Sequence, residues 1–328
     1  MAKISVIGAG AWGTTLAILL AENKHEVCLW AYEKELAQEI EEFRENKRFL
    51  PGFQLPSQIQ ATNEREETKD TQIYIFVVPT QHLRSVAKSF KYIIQTNSLI
   101  VCASKGIEEG KLKLPLEILK EELKTDNLAA LSGPNLSREI AQGLPAATVV
   151  ASEKIETAQA VQKVLLMERF RVYTNADPLG VQLAGALKNV IAIAAGVVDG
   201  LEMGDNAKAG LLIRGLAEIT RLGVAMGAKP ETFAGLAGMG DLITTCGSKL
   251  SRNHCVGKQI AKGKKLNIIM KEMSAVAEGI PTTKAALALA KKHKIILPIM
   301  EEVNQLLFEE KSPSQAITDL LTREAKSE

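Results

Sequence analysis

Lys188 and Asn189 interrupt an otherwise apolar stretch, Leu183–Val198, reading LAGALKNVIAIAAGVV. A helix apolar on every side is buried. A lysine inside it loses hydration, which favours its neutral form and lowers its pKa toward the range of a general acid–base. The same residues also fit a lysine whose stem lies along apolar surface while its head reaches water. Further on, Gly235–Asn253 reads GLAGMGDLITTCGSKLSRN. Asp241 follows Gly240 there, and reads either as the group that orients Lys188 or accepts from a substrate hydroxyl, or as a turn residue. Ser251, Arg252 and Asn253 open a helical pattern. An arginine fork with hydroxyl and amide donors at a helix N-terminus suits a phosphate monoester; a Ser-capped helix with a surface arginine has the same pattern. Glu278 lies in the Gly/Pro-punctuated VAEGIPTT, where position alone assigns no chemistry.

The N-terminal half carries a second set. Lys3–Gly13 reads KISVIGAGAWG, an apolar run that stops at Gly8 and continues as G-x-G-x-x-G through Gly10 and Gly13. A helical pattern, Thr14–Ala21, follows. Strand, glycine turn and helix is the order a dinucleotide pyrophosphate needs: a tight turn at Gly8, no Cβ at Gly10, close helix–strand packing at Gly13, and helical N–H groups facing the anion. Glu33 falls 20 residues after Gly13, beside Tyr32. It reads as the acid that takes the adenine ribose hydroxyls, or as an acidic residue favouring its own helix N-terminus. VVPTQ (77–81) and ASKG (103–106) each follow an apolar strand, which brings Lys105 to the ligand edge as an anion contact or a solvated loop lysine. LSGPNLSRE (131–139) ends a strand and starts a helix at Pro134. Asn135 and Ser137 there are donors beside exposed backbone N–H groups, or parts of an ordinary capped helix.

Residues 1–174 alternate strand and helix. Strands are expected at Glu26–Trp30, Ile59–Thr62, Ile73–Val78, Leu99–Ala103, Leu128–Leu131, Ala147–Ala151 and Phe170–Val172, with helices such as Lys34–Asn46 and Leu116–Leu123 between them. Continuous apolar runs such as IYIFVV and LIVCA mark strands covered on both faces, as in a parallel sheet. The fold class expected is α/β, a doubly wound Rossmann-type domain over 1–176, followed by an all-α domain over 177–328. Its helices are Leu179–Val198, Lys208–Met226, Asn253–Lys262, Lys271–Ala275, Thr282–His293, Pro298–Phe308 and Pro313–Arg323, with AKSE frayed at the end.

Bulk properties narrow the function classes. Against 40 Lys and Arg stand 38 Asp and Glu, a net charge of +2, so nothing argues for a nucleic-acid surface. No uninterrupted apolar stretch approaches the roughly 20 residues of a membrane span, and Met1 leads straight into a core strand with no leader pattern. Cys28, Cys102, Cys246 and Cys255 show no C-x-x-C, and two fall in expected strands, which suits reduced thiols in a cytoplasmic protein. The four histidines make no metal spacing. A homodimer is left open, since the small-residue helix Leu183–Val198 can pack within or between chains.

GAGAWG, VVPT, ASKG, LSGPN, ALKNV followed by DGL and GDNAKA, GLAGMGDLITTC, SRN and AEGIPTTKA together resemble the bacterial-type NAD(P)-dependent glycerol-3-phosphate dehydrogenases, in order from about residue 3 to residue 310. The resemblance implies an N-terminal domain that binds NADPH or NADH and a helical domain that closes over dihydroxyacetone phosphate, making sn-glycerol 3-phosphate for glycerophospholipids. It implies Lys188 as the acid–base, with Asp241 orienting it. It implies substrate contacts from Lys105, Gly133, Asn135, Asp241, Ser251, Arg252 and Asn253, and cofactor contacts from Gly8, Gly10, Ala11, Trp12, Gly13, Tyr32, Glu33, Lys105, Ser137, Arg252, Val276 and Glu278. Three positions depart from the family pattern. Ala11 replaces a common serine, removing one hydroxyl from the pyrophosphate. Asn135 replaces another, with little change expected. Tyr32-Glu33 stands where basic residues suited to a 2′-phosphate are common, which raises the expectation of NADH. Two other readings share the Rossmann half: a related two-domain hydroxy-acid dehydrogenase, which needs no phosphate clamp, and a non-catalytic dinucleotide sensor, which needs neither Lys188 nor Asp241.

Overall fold

Ile4, Val6 and Ile7 carry the first strand into the centre of a sheet because each is wholly buried, worth about 1.5–3 kcal/mol apiece over exposure. The computed structural model describes residues 2–273 and 276–325. Its strands are β1 (Lys3–Ile7), β2 (Glu26–Trp30), β3 (Ile59–Thr62), β4 (Ile73–Phe76), β5 (Leu99–Cys102), β6 (Leu128–Ser132), β7 (Ala146–Ala151) and β8 (Phe170–Asn175). Every residue of β4 and β5 is buried, as the unbroken apolar runs require. The order is β3-β2-β1-β4-β5-β6-β7-β8 in one sheet. The chain winds outward from β1 to β3 and resumes on the other side of β1 with β4. Such a reversal leaves a ligand crevice at the carboxyl ends of the two strands that flank it.

β1 to β6 are parallel, but the wholly parallel expectation fails at the next pair, since β7 runs antiparallel to β6. The connection between them holds only a five-residue helix. A parallel crossover usually uses a full helix to return the chain to the strand's starting edge, and a five-residue helix spans only about 7.5 Å. The longer helix between β7 and β8 makes that return, and those two strands are parallel.

The helices of this half are α1 (Ala11–Glu22), α2 (Lys34–Phe43), α3 (Thr80–Phe90), α4 (Pro115–Leu123), α5 (Ser137–Ala141) and α6 (Ile155–Leu165). α2 ends before the expected Asn46, because Arg44 turns left-handed at φ 52° and Asn46 bonds elsewhere. α5 begins at Ser137 rather than Pro134, which stays in the preceding loop.

From residue 177 no strand occurs among the described residues. The helices are α7 (Pro178–Gly200), α8 (Gly204–Ala225), α9 (Pro230–Ala234), α10 (Asp241–Gly247), α11 (Arg252–Ala261), α12 (Leu266–Glu272), α13 (Gly279–His293), α14 (Pro298–Phe308) and α15 (Pro313–Leu321). The expected helix over 271–275 runs partly outside the described residues, as does the expected frayed end. By length and composition α7 is able to cross a bilayer, contrary to the reading of its sequence, but 94% of its apolar window is buried within the protein, as in a core helix.

The chain divides into two compact units, residues 1–105 with 113–182, and residues 106–112 with 183–328. The division falls inside α7, six residues beyond the expected break at 176.

Candidate active site

The glycine turn of the first unit is built as a dinucleotide needs. Gly8 has φ +117°, and a Cβ on it would stand 2.7 Å from the Val77 carbonyl oxygen just beyond β4. A Cβ on Gly13 would overlap the Gly8 carbonyl, so only glycine lets α1 pack this close to the turn. A Cβ on Gly10 would meet nothing within 4 Å, which leaves the open side of the turn to a ligand. Gly10 is the N-cap of α1 and Ala11 its first residue, with Trp12 half-buried against the core. The residues fit a nicotinamide dinucleotide, whose pyrophosphate would lie on the free N–H groups of α1.

Asn46 is a member of this turn that sequence reasoning missed. Fully buried, it donates through Nδ2 to the Ala9 carbonyl and to Thr14 Oγ1, both at 2.8 Å. An isolated asparagine past a helix end carries no readable signal for that role. Tyr32 is 76% exposed. Glu33 is the N-cap residue of α2, yet its side chain makes no capping bond.

Lys105 Nζ donates to the Gly133 carbonyl at 3.0 Å. Gly133 has φ +152°, with Thr148 Cα 3.0 Å from where a Cβ would be. Asn135 is occupied at both ends of its amide, donating to the Ala147 carbonyl (3.0 Å) and accepting from Thr148 Oγ1 (2.9 Å). Its work in this structure is to tie the loop to β7. Ser137 offers its carbonyl to Thr15 Oγ1 at 3.2 Å.

In the helical unit, Lys188 is only 6% exposed and Asp241 only 1%. Lys188 Nζ donates to Asp241 Oδ1 at 2.6 Å and to Thr245 Oγ1 at 2.5 Å, and Thr245 in turn donates to Asp241 Oδ1 at 3.2 Å. Lys188 is thus buried, beside the carboxylate that the sequence offered as the group to orient it. The adjacent carboxylate favours the ammonium and opposes the desolvation. Asp241 is not a loop residue, since it begins α10. Before it, residues 236–240 form a π-type turn closed by the Gly240 N–H donating to the Gly235 carbonyl at 3.1 Å. A Cβ on Gly238 would overlap the Phe233 backbone, so this glycine serves packing. Thr245, one turn after Asp241 on the same face, becomes legible only once this stretch is read as helix.

Ser251 caps α11 by accepting from the His254 N–H at 3.3 Å. Asn253 donates to Asn189 Oδ1 (2.9 Å) and accepts from the Gly279 N–H (2.9 Å), joining α7, α11 and α13. Arg252 is exposed, although the protein around it lowers its pKa and the Glu278 carboxylate works against that. Val276 is exposed and Glu278 precedes α13 as its N-cap residue. His254 Nε2 lies 2.7 Å from Asp199 Oδ2, which also accepts from Lys208 Nζ at 2.6 Å. Burial pushes the Asp199 carboxyl up, but these two partners outweigh it and hold it below its usual range. Burial pushes the Cys246 thiol up to about 12, which disfavours the thiolate.

A Rossmann sheet with this glycine turn, joined to a helical unit holding a buried lysine–carboxylate–hydroxyl cluster, defines the class of nicotinamide-dependent oxidoreductases. The model of the NAD-dependent glycerol-3-phosphate dehydrogenase N-terminus matches residues 3–158, and that of the C-terminus matches residues 177–318. The chain belongs to the NAD-dependent glycerol-3-phosphate dehydrogenase family. It is 50% identical to the NAD(P)+ glycerol-3-phosphate dehydrogenase of Citrifermentans bemidjiense over 99% of this chain and 98% of that one. With the enzyme of the same name from Fusobacterium nucleatum it shares 46% identity over 100% and 99% of the two chains. The crystal structure of glycerol-3-phosphate dehydrogenase from Coxiella burnetii superposes with a TM-score of 0.94 at 36% identity, covering 98% of this chain and 99% of that one.

Proposed function

We propose that the enzyme reduces dihydroxyacetone phosphate reversibly to sn-glycerol 3-phosphate, the backbone of glycerophospholipids, with Lys188 as the proton donor. The observation that carries this reading is the sealed Lys188–Asp241–Thr245 cluster, which holds a proton at Nζ in a place water scarcely reaches. When bound, the reduced nicotinamide supplies the hydride taken up by the ketone carbon. Lys188 Nζ gives its proton to the carbonyl oxygen as that oxygen gains charge, so the ketone becomes an alcohol. Asp241 holds the ammonium in line, and Thr245 fixes its second hydrogen bond. Arg252, at the N-terminus of α11, takes the substrate phosphate with the help of the first N–H groups of that helix. Asn253 and Ser251, which also hold the backbone there, help to contact the phosphate. Lys105 and Gly133 are proposed as further substrate contacts. Because the phosphate is remote from the reacting carbon, its binding energy serves to position the carbonyl. None of the four cysteines forms a disulfide, which suits a reducing, cytoplasmic setting.

The test is loss of reduced-nicotinamide absorbance when dihydroxyacetone phosphate is added, run beside unphosphorylated 2-keto acids. Turnover with the ketose phosphate alone is the expected result. Turnover only with keto acids would assign the chain to another substrate class, and binding without turnover would make it a sensor.

A further inference from the structure

Nicotinamide dinucleotides differ in one group, the phosphate on the adenine 2′-oxygen, and one carboxylate at the end of β2 is ordinarily enough to exclude it. Glu33 is such a carboxylate, but it does not act alone. Arg48 Nη1 stands 3.8 Å from Glu33 Oε1, with side chains 52% and 42% exposed respectively.

Arg48 owes that position to the glycine turn. Asn46 bonds the Ala9 carbonyl and Thr14 Oγ1, accepts from the Phe49 N–H at 3.1 Å, and offers its own carbonyl to the Leu50 N–H at 2.9 Å. The backbone on both sides of Arg48 is thereby fastened to the turn that receives the pyrophosphate. Its guanidinium carbon lies 5.1 Å from the Phe49 ring centroid, while the neighbouring Lys47 ammonium is drawn away over Phe43. Glu33 comes to the same place from β2, whose last carbonyl, that of Trp30, accepts from the Gly8 N–H at 2.9 Å.

The Glu33–Arg48 contact is half-exposed and longer than a hydrogen bond. Contacts of this kind contribute little and open readily. We propose that Arg48 is the ligand for an adenosine 2′-phosphate and that the Glu33–Arg48 pair lets one site take both NADH and NADPH. With a free 2′-hydroxyl, Glu33 accepts from the ribose and Arg48 stays beside it, cancelling its charge. With a 2′-phosphate, the guanidinium turns from the carboxylate to the phosphate, which it grips in a fork, and Glu33 turns to solvent. The proposal rests on the dinucleotide reading of the glycine turn.

The experiment measures binding of NADH and of NADPH to the full-length protein by calorimetry, without substrate. Wild type is expected to bind both, within about tenfold of each other. Arg48→Gln should weaken NADPH about 10–100-fold, as loss of hydrogen bonds to a charged group implies, while NADH changes less than about threefold. Arg48→Lys should retain part of the NADPH affinity, and Glu33→Gln should strengthen NADPH at the expense of NADH. Equal losses for both nucleotides in Arg48→Gln, or no loss for either, would overturn the assignment of Arg48 and leave the glycine turn standing. Wild-type protein that binds neither nucleotide would instead overturn the reading of the turn, and the selector with it.

Discussion

Gly257 of α11 lies so close to Ile193 of α7 that a Cβ on the glycine would overlap the isoleucine carbonyl oxygen. The contact is reciprocal, since a Cβ on Gly196 would overlap the His254 carbonyl. Two helices thus touch backbone to backbone, and the touch sets their register. Lys188 and Asn189 sit two turns before it on one helix, Arg252 and Asn253 just before it on the other.

Gly257→Ala should therefore force the helices apart. Overpacking of this kind costs typically about 1–3 kcal/mol, and here the obstacle is backbone rather than a flexible side-chain tip. A lowered denaturant midpoint together with a raised KM for the ketose phosphate is the expected pair of results. Wild-type values for both would mean that the helices have slack the geometry does not show.

Lys188→Met should lower turnover by about 10²–10⁴, the usual contribution of a positioned general acid. It also strips the ammonium from the buried Asp241, at a cost of about 3–5 kcal/mol. Adding Asp241→Leu removes the stranded charge, so the double variant should regain stability without regaining activity. Near-normal turnover in Lys188→Met, measured by nicotinamide absorbance, would take the proton from Lys188 and give it to another group.

Arg252→Ala should raise KM for dihydroxyacetone phosphate about 10–100-fold, the value of hydrogen bonds to a charged group. Unphosphorylated dihydroxyacetone, a poor substrate throughout, should be reduced as well by the variant as by wild type. Equal losses with the two ketones would mean that Arg252 does not read the phosphate.

Glu218 predicts a pH effect on stability. It is 3% exposed and caps α14, accepting from the N–H of Ile299 at 2.7 Å and of Met300 at 3.3 Å. Burial pushes its carboxyl up from 4.5 to about 7, against those two hydrogen bonds. Between these values the folded chain keeps a proton that the unfolded chain releases. Stability from this group is complete below about pH 4.5 and falls as pH rises toward 7, by on the order of 3 kcal/mol. Glu218→Gln, which keeps an acceptor and cannot ionise, should flatten this part of the profile in urea melts at pH 5, 6 and 7. An unchanged slope would place the titration elsewhere.

The eight strands, the glycine turn and the change to helices near residue 177 were legible in the sequence because local patterns encode them. Unbroken apolar runs need cover on both faces, G-x-G-x-x-G needs a strand before and a helix after, and an apolar helix around one lysine needs a buried setting. The antiparallel β7, the helix beginning at Asp241, the amide of Asn135 turned to β7 and the meeting of Glu33 with Arg48 were not. Each depends on which other residues occupy the neighbouring space: Phe233 against Gly238, Thr148 beside Asn135, Asn46 on the Ala9 carbonyl. The chain by itself placed a lysine in an apolar helix, with its head either buried or reaching water, and offered Asp241 as one group to orient it. Only the tertiary structure decided that it would share its proton with Asp241 and Thr245, because a carboxylate 53 residues away stabilises an ammonium only where folding brings the two within hydrogen-bond reach.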